Sequence, residues 1–290
     1  MTLVSVLIVN YNGAAVIIQC LRTLLEHSRA IVPEIIVVDN ASSDGSPDLI
    51  AEQFPQVKLI KSAVNLGFGQ GNNLAAQAAT GEFLLLLNPD TIVPGEFLPP
   101  LVGVMDADPQ VAIVAPRLVY TDGRLQVSIS YAISLWGEYR TQKLHRQARV
   151  GKLTELPPGN VDIVVGAAML IRRRVFEQVG GFDPNFFMYF EESDLCERIR
   201  KLGWRVHYFP QVSLIHWQGH STQQTRALSD RLAMAYRRSQ LYYYAKHRPW
   251  WEQAILRLYL LGKFSLRLIR RHQAIDGQIV ALVLGLSPQR

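Results

Sequence analysis

Four times in its first 90 residues the chain repeats one pattern: a short apolar run ends in a cluster of Asn, Asp and Gly, and helical spacing separates each run from the next. The runs are 4–9, 34–38, 57–61 and 83–87, and the helix-like segments between them are 14–25, 47–54 and 71–79. Runs that are apolar throughout, rather than at alternate positions, belong to strands buried on both faces. The order β-α-β-α-β-α-β predicts an α/β fold: an open, doubly wound, mostly parallel sheet flanked by helices, with right-handed crossovers. Ligands on such sheets bind beyond the carboxyl ends of the strands. The polar clusters fall there: Asn10-Tyr11-Asn12-Gly13 after the first run, Asp39 to Gly45 after the second, Asn65 to Gly69 after the third and Asn88-Pro89-Asp90 after the fourth. One such loop means little; four in succession mark a site.

The remainder is less regular. Residues 117–160 are polar, with Asp122-Gly123 and Pro157-Pro158-Gly159 as turn signals, and are expected to form a variable insert. Strand character returns over 161–171. Helices are expected over 175–179 and about 192–202, each ending at glycine, with short strands over 205–209 and 212–215. From about residue 225 the chain is helical. The expected division is an α/β domain over 1–224 and a helical extension over 225–290.

With 290 residues, about half of them apolar, the chain can bury one large core. Cys20 and Cys196 form no CxxC and no framework, and read as free thiols of a reducing compartment. Met1-Thr2-Leu3 leads into the first run without a basic n-region, so no signal peptide is expected. No apolar run reaches the roughly 18–20 residues that span a bilayer. A cytoplasmic protein is the expectation. The net charge of +6 is uneven: residues 226–272 hold eleven Lys/Arg against two Asp/Glu, which is +9 and leaves −3 elsewhere. A basic tail either meets an anionic partner or is the solvated side of a packed helix.

Three segments can carry chemistry. Asp90 ends the most apolar strand, where a carboxylate is costly unless it pairs or binds a cation. Its spacing from Asn88 suits a hard divalent ion that also takes phosphate oxygens, though Asn-Pro-Asp is equally a good turn. Glu191, Glu192 and Asp194 crowd behind the aromatic run 186–190. Crowded carboxylates beside apolar surface raise one another's pKa, which suits a general base. The same three residues also suit the first turn of a helix. His216 and His220 are four apart, but their segment reads as strand then loop, where a histidine is as readily structural as a metal ligand.

From residue 4 to about 221 the order and spacing of these segments resemble glycosyltransferase family 2, particularly its bacterial rhamnosyltransferase-like branch. The stretches that carry the resemblance begin with 6–12, 37–46, 65–73 and 87–90. They continue with 166–173, Gly180-Gly181-Phe182-Asp183, 187–195, and His216 with His220-Ser221. The resemblance implies a GT-A fold, with a donor half over 1–115, an acceptor half over 116–224 and a basic helical tail. It implies that Tyr11, Asn12 and Asp39 contact the donor's base and ribose, and that Asp44, Asn65, Gly67 and Asn73 line the donor pocket. It places Asp90 on a divalent metal, Mg²⁺ or Mn²⁺, at the donor diphosphate, with His216 as second ligand. Asn88 stands where a stricter Asp-x-Asp motif has its first aspartate. Glu192 stands where relatives usually carry the aspartate that acts as base, so Glu191 and Asp194 remain alternatives.

An inverting transfer needs one carboxylate to take the acceptor's proton. Two carboxylates flanking a bond would suggest hydrolysis, and none are spaced that way. The implied partners are a nucleotide-sugar donor, with rhamnose the first candidate sugar, and a glycan or lipid-linked acceptor; nucleic acid is not expected. A catalytically inactive sugar-binding protein of the same fold is the competing reading. Asn-Tyr-Asn-Gly in place of GxGxxG argues against a nicotinamide enzyme. Gln223-Gln224-Thr225-Arg226-Ala227 lacks the tryptophan of a processive synthase. Over 249–272, Trp250-Trp251 and then leucines interrupted by Arg257, Lys263, Arg267, Arg270 and Arg271 predict one broad basic helix face. Such a helix suits an anionic membrane surface, for example the inner face of the plasma membrane, or packs on the core with that face in solvent.

Overall fold

A computed structural model describes residues 3–217 and 226–286. At its centre lies β1 (Val4–Asn10), parallel to β2 (Glu34–Asn40) on one side and to β4 (Phe83–Leu87) on the other. β3 (Lys58–Ser62) extends the sheet beyond β2. The helices α1 (Ile17–Glu26), α2 (Ser46–Gln53) and α3 (Gly67–Gln77) connect these strands. The chain therefore steps outward from β1 to β3 and comes back to the far side of β1. Strand order reverses there, and ligands of open α/β sheets bind at such a reversal.

Next come β5 (Thr91–Ile92), α4 (Leu98–Ala107), β6 (Val111–Val119), β7 (Leu125–Gln126), β8 (Ile129–Ser130) and α5 (Leu135–Arg149). They are followed by β9 (Gly159–Val161), β10 (Ile163–Val164), β11 (Ala168–Arg172), α6 (Arg173–Gln178), α7 (Glu191–Lys201) and β12 (Arg205–His216). The main sheet runs β3-β2-β1-β4-β11-β6-β12-β5. β11 is antiparallel to both β4 and β6, so the long strands are parallel except for this one. Val4, Val6 and Ile8 of β1 pack with Leu21 of α1 and Leu101 of α4; Leu7 packs on the other face, in the cluster that holds Ala75 of α3 and Ile199 of α7. Burial from both sides is why β4 is apolar throughout and β1 nearly so, whereas the edge strand β3 carries exposed Lys58 and Lys61.

The structure departs from the sequence reading in several places. Residues 117–160 are not irregular: β6 runs on to Val119, short strands follow, and α5 fills 15 residues. Its signals were present. Ser134 caps it by accepting from the Gly137 N–H at 3.0 Å, Glu138 lies in the first turn, and Arg146 and Arg149 lie in the last. Only Gly137 of α5 is buried, so it carries no apolar stripe to betray it. The expected pair of strands over 205–215 is the single strand β12, whose register against β6 shifts between Phe209 and Ser213. Pro210 lies in that interval and has no N–H to give the ladder. The strand character of 161–171 divides among the short strands β9 to β11.

The C-terminal region is helical: α8 (Arg226–His247), α9 (Trp250–Arg271) and α10 (Ala274–Val283). It is anchored to the sheet domain, because Leu241, Tyr243 and Tyr244 share a buried cluster with Phe186 and Phe190. Among the described residues no helix is long and apolar enough to cross a membrane. Two of the basic residues of α9 are turned inward, while Arg270 is exposed. Arg257 donates to the Val283 carbonyl at 2.7 Å, and Arg267 lies 3.4 Å from the fully buried Asp276 of α10. Cys20 and Cys196 are buried free thiols, both pushed up to about 12 by desolvation.

Candidate active site

The first two loops are knitted together by short polar side chains. Asn10 is fully buried and donates from Nδ2 to Asp39 Oδ1 at 2.9 Å and to Ser46 Oγ at 2.8 Å. Asp39 Oδ2 accepts the Ser42 N–H at 3.0 Å. Asn12 stands at φ +50° and accepts the Ser43 N–H at 2.9 Å. Asp44 accepts from the Ala14 N–H at 2.8 Å and from the Ser46 hydroxyl at 2.6 Å. Partial burial opposes the Asp44 charge, but the bonds from Ser46 and Ala14 outweigh it and hold the carboxyl below its ordinary value. Tyr11 is left exposed.

The third loop is joined to residues more than a hundred positions away. Asn65 accepts the Gly67 N–H at 2.9 Å, and Gly67 takes φ +78°. A Cβ at Gly67 would fall 2.1 Å from the Phe187 carbonyl oxygen, so only glycine allows the approach. Asn73 accepts the Phe182 N–H at 2.9 Å and donates to its carbonyl at 2.8 Å. Its amide thus ties α3 to the segment that leads into α7.

Asp90 and His216 meet because β12 pairs with β5, which sets His216 opposite Thr91. Both side chains are buried. His216 Nε2 lies 3.1 Å from Asp90 Oδ1 and 3.2 Å from Asn88 Nδ2, while its Nδ1 lies 3.1 Å from Gln126 Oε1. An amide oxygen only accepts, so against Gln126 Nδ1 carries a proton and Nε2 presents its one lone pair, which takes either the Asn88 N–H or a cation. A lone pair and a carboxylate oxygen facing each other at 3.1 Å repel unless positive charge joins them. The pair therefore fits a divalent cation, for which imidazole nitrogen and carboxylate oxygen are ordinary ligands. The described residues contain no group of three or more His, Cys, Asp and Glu side chains that could hold a metal. Further ligands would come from substrate phosphate and water, the usual case for Mg²⁺. His220 lies outside the described residues.

The three acidic candidates follow a strained turn and lie together in the first turn of α7. Tyr189 and Phe190 both sit at φ +69°, a conformation that costs about 1–2 kcal/mol per non-glycine residue. α8 holds them there: the Tyr236 ring packs on Tyr189 and Phe190, with ring centres 5.5 and 5.1 Å away, and Ser239 Oγ donates to the Met188 carbonyl at 2.8 Å. α7 begins at the next residue. Glu191 is buried with Oε2 unpartnered, and burial together with the neighbouring Glu192 pushes its carboxyl well up. Glu192 is also raised by desolvation, against the Gly166 N–H that bonds it.

Asp194 is fully buried, but Arg198 Nε, Lys246 Nζ and His247 Nε2 all lie 2.7 Å from its oxygens. Burial works against its charge, yet the bonds from His247, Lys246 and Arg198 win and keep it below the ordinary range. Asp194 is thus taken up in joining α7 to α8, which leaves Glu192 and Glu191 to take a proton.

Gly166 shows how close the two centres are in the fold. Its N–H reaches Glu192, and the carbonyl of the next residue, Ala167, accepts the Asn88 N–H at 2.9 Å. Glu192 also lines a cavity of about 310 Å³ with Tyr131, Gln142, His145, Tyr189 and Tyr236. α5 forms one wall, and the C-terminal helices fix it: Glu252 accepts the Leu135 N–H at 3.2 Å, and Tyr244 donates to Glu138 at 2.9 Å. Gln126, His247 and this wall could not be singled out in the sequence, because each acts through a partner far along the chain.

A parallel sheet with one reversed strand, polar loops at the carboxyl ends and a carboxylate–histidine pair beside a second acidic group define a GT-A-type transferase fold. Solved structures share it: S. aureus TarS 1–349 in complex with UDP-GlcNAc has a TM-score of 0.60 at 15% identity, over 98% of this chain and 80% of that one. GalNAc-T7 with UDP, GalNAc and Mn²⁺ has a TM-score of 0.61 at 17% identity, over 91% of this chain and 51% of that one. The chain belongs to glycosyl transferase family 2, whose model matches residues 5–180. It is 28% identical over 256 residues to the N-acetylglucosaminyl-diphospho-decaprenol L-rhamnosyltransferase of Mycobacterium tuberculosis, covering 80% of this chain and 81% of the relative. It is 27% identical to the rhamnosyltransferase WbbL of Escherichia coli K12, covering 66% of this chain and 75% of the relative.

Proposed function

We propose that the chain is an inverting glycosyltransferase that moves a sugar, rhamnose in the first instance, from a nucleoside-diphosphate sugar to a hydroxyl of a glycan or lipid-linked acceptor in cell-surface polysaccharide synthesis. The observation that carries this is the separation of the acidic groups. Asp90 faces His216 at the strand ends, Asp194 is neutralised, and Glu192 alone lines a cavity with a raised pKa. A raised pKa makes a carboxylate a stronger base, suited to taking the acceptor's proton as its oxygen attacks the anomeric carbon. The strained turn aims Glu192, and α5 with Tyr131 and Tyr236 bounds the space for the acceptor. Asp90 and His216 would hold a divalent ion, which when bound offsets charge on the departing diphosphate. Tyr11, Asn12 and Asp39 would receive the nucleoside.

The test is a panel of nucleotide-sugars scored for released diphosphate, with dTDP-rhamnose first. Glu192→Gln should lower turnover by about 10²–10⁴-fold with nucleotide affinity unchanged. Chelation and Asp90→Ala should each abolish turnover. Nucleotide binding without turnover of any donor in the presence of acceptor would favour the inactive, sugar-binding reading. Full turnover by Glu192→Gln would move the base to Glu191.

A further inference from the structure

The outward face of α9 is apolar, the reverse of an ordinary surface helix. Between Trp250 and Ile269 every exposed residue of α9 is apolar, aromatic or glycine. Trp251, Ile255, Leu258, Tyr259, Leu266 and Ile269 recur at spacings of three and four, so they form one stripe along a helix roughly 33 Å long. Leu258 and Ile269 are each 69% exposed. The opposite side is already used, because Leu256, Leu260 and Phe264 are buried against α8 and α10. Lys263 and Arg270 flank the stripe, four residues on from Tyr259 and Leu266. Among the described residues neither has an acidic partner; Lys263 lies 5.5 Å from the centre of the Tyr259 ring.

We propose that α9 lies in the interface of an anionic bilayer, with this stripe inserted below the headgroups and Lys263 and Arg270 against lipid phosphate. Charge decides the occupant. Lys263 and Arg270 beside the stripe have no acidic partner among the described residues, so a second copy facing the same stripe would bring like charge to like, whereas an anionic lipid surface complements them. Tryptophan and tyrosine beside aliphatic side chains suit the boundary between headgroup and acyl chain. The helix lies on the bilayer rather than through it, since none of the described helices can span one. Attachment is then mainly hydrophobic, with charge adding to it.

The test is sedimentation of the full chain with vesicles of phosphatidylcholine alone or mixed with phosphatidylglycerol, at low and high salt. The chain should bind the mixed vesicles more tightly, keep a substantial bound fraction in high salt, and shift its tryptophan emission to the blue. Leu258→Asp with Ile269→Asp should lower partitioning by on the order of 100-fold, about tenfold for each side chain. Circular dichroism and nucleotide binding should not change, since both side chains point to solvent. Equal partitioning of variant and parent, or binding that disappears entirely in salt, would overturn insertion. A parent dimer that the same substitutions dissociate, with no vesicle binding, would assign the stripe to a second copy. None of these measurements reads sugar transfer, so failure here leaves the proposed activity untouched.

Discussion

The loops after β1 and β2 and the turn before α7 solve the same problem, fixing polar groups at the edge of a sheet, in opposite ways. In the loops, Asn10, Asp39, Ser46 and Asp44 bond to one another and Asn12 bonds to Ser42 and Ser43, all within two adjacent crossovers, and the backbone needs only isolated left-handed residues, among them Asn12 and Ala41. At the turn, two successive aromatic residues adopt φ +69°, and the forces that hold them come from α8, about fifty residues on. The first arrangement is local and self-satisfied. The second stores strain that a distant helix must restrain, as expected where a reactive group is aimed.

The sharpest way to break the contrast is Asp194→Asn. It takes the carboxylate from the partly buried Arg198, while the exposed Lys246 keeps Asp183, so the cost should fall at the lower end of a buried ion pair, about 3 kcal/mol. Urea denaturation should show a loss of that size, and turnover should fall with it because α7 loosens from α8. A loss below about 1 kcal/mol would mean that α8 does not restrain the turn.

Asp39→Ala should cost less, about 1–3 kcal/mol, since it strips partners from Asn10 and the Ser42 N–H but leaves Asn10 bonded to Ser46. Nucleotide affinity should fall as well, by titration calorimetry. A stable variant with unchanged affinity would remove Asp39 from the donor site.

Glu191→Gln should act in the opposite sense, as a gain in stability at neutral pH. The folded protein holds the Glu191 proton more tightly than the unfolded chain. Its contribution is therefore complete below about pH 4.3, the ordinary glutamate value, and is lost as pH rises through the raised folded value. Stability measured against pH should lose that downward slope in the variant. Asp194 contributes in the other sense, present above about pH 3.9 and lost as acid protonates it through its lowered folded value. Smallest is Ser239→Ala, about 0.5–1.5 kcal/mol from one hydrogen bond, with turnover reduced more than nucleotide affinity.

The first four strands and their loops were legible because their signals are local. Apolar runs ending in Asn, Asp and Gly disclosed the strands β1 to β4 and the loops that follow them. Asp90 could be singled out from the apolar strand before it. The neighbour that gives Asp90 its chemistry could not be found by spacing, since the β12–β5 pairing brings His216 to it from 126 residues away. The region around α5 was far less readable. α5 has a cap and well-placed charges but buries only one glycine, so the strongest helix signal, an apolar stripe, was missing.

By itself the sequence determined the alternation of elements, the faces of the first strands and the location of the polar loops, because backbone and burial preferences act within a few residues. Tertiary structure alone decided which carboxylate is free. Glu191, Glu192 and Asp194 have the same chemistry and lie within four positions, and only their surroundings separate them. His247 and Lys246 arrive from α8 to neutralise Asp194, and burial beside Glu192 raises the Glu191 carboxyl. Gly166 and the cavity wall leave Glu192 open. Tertiary structure likewise turned α9 over. A helix sequence fixes which residues share a face, but what packs against the helix decides which face meets solvent, and the cluster with α8 and α10 left the apolar stripe outward.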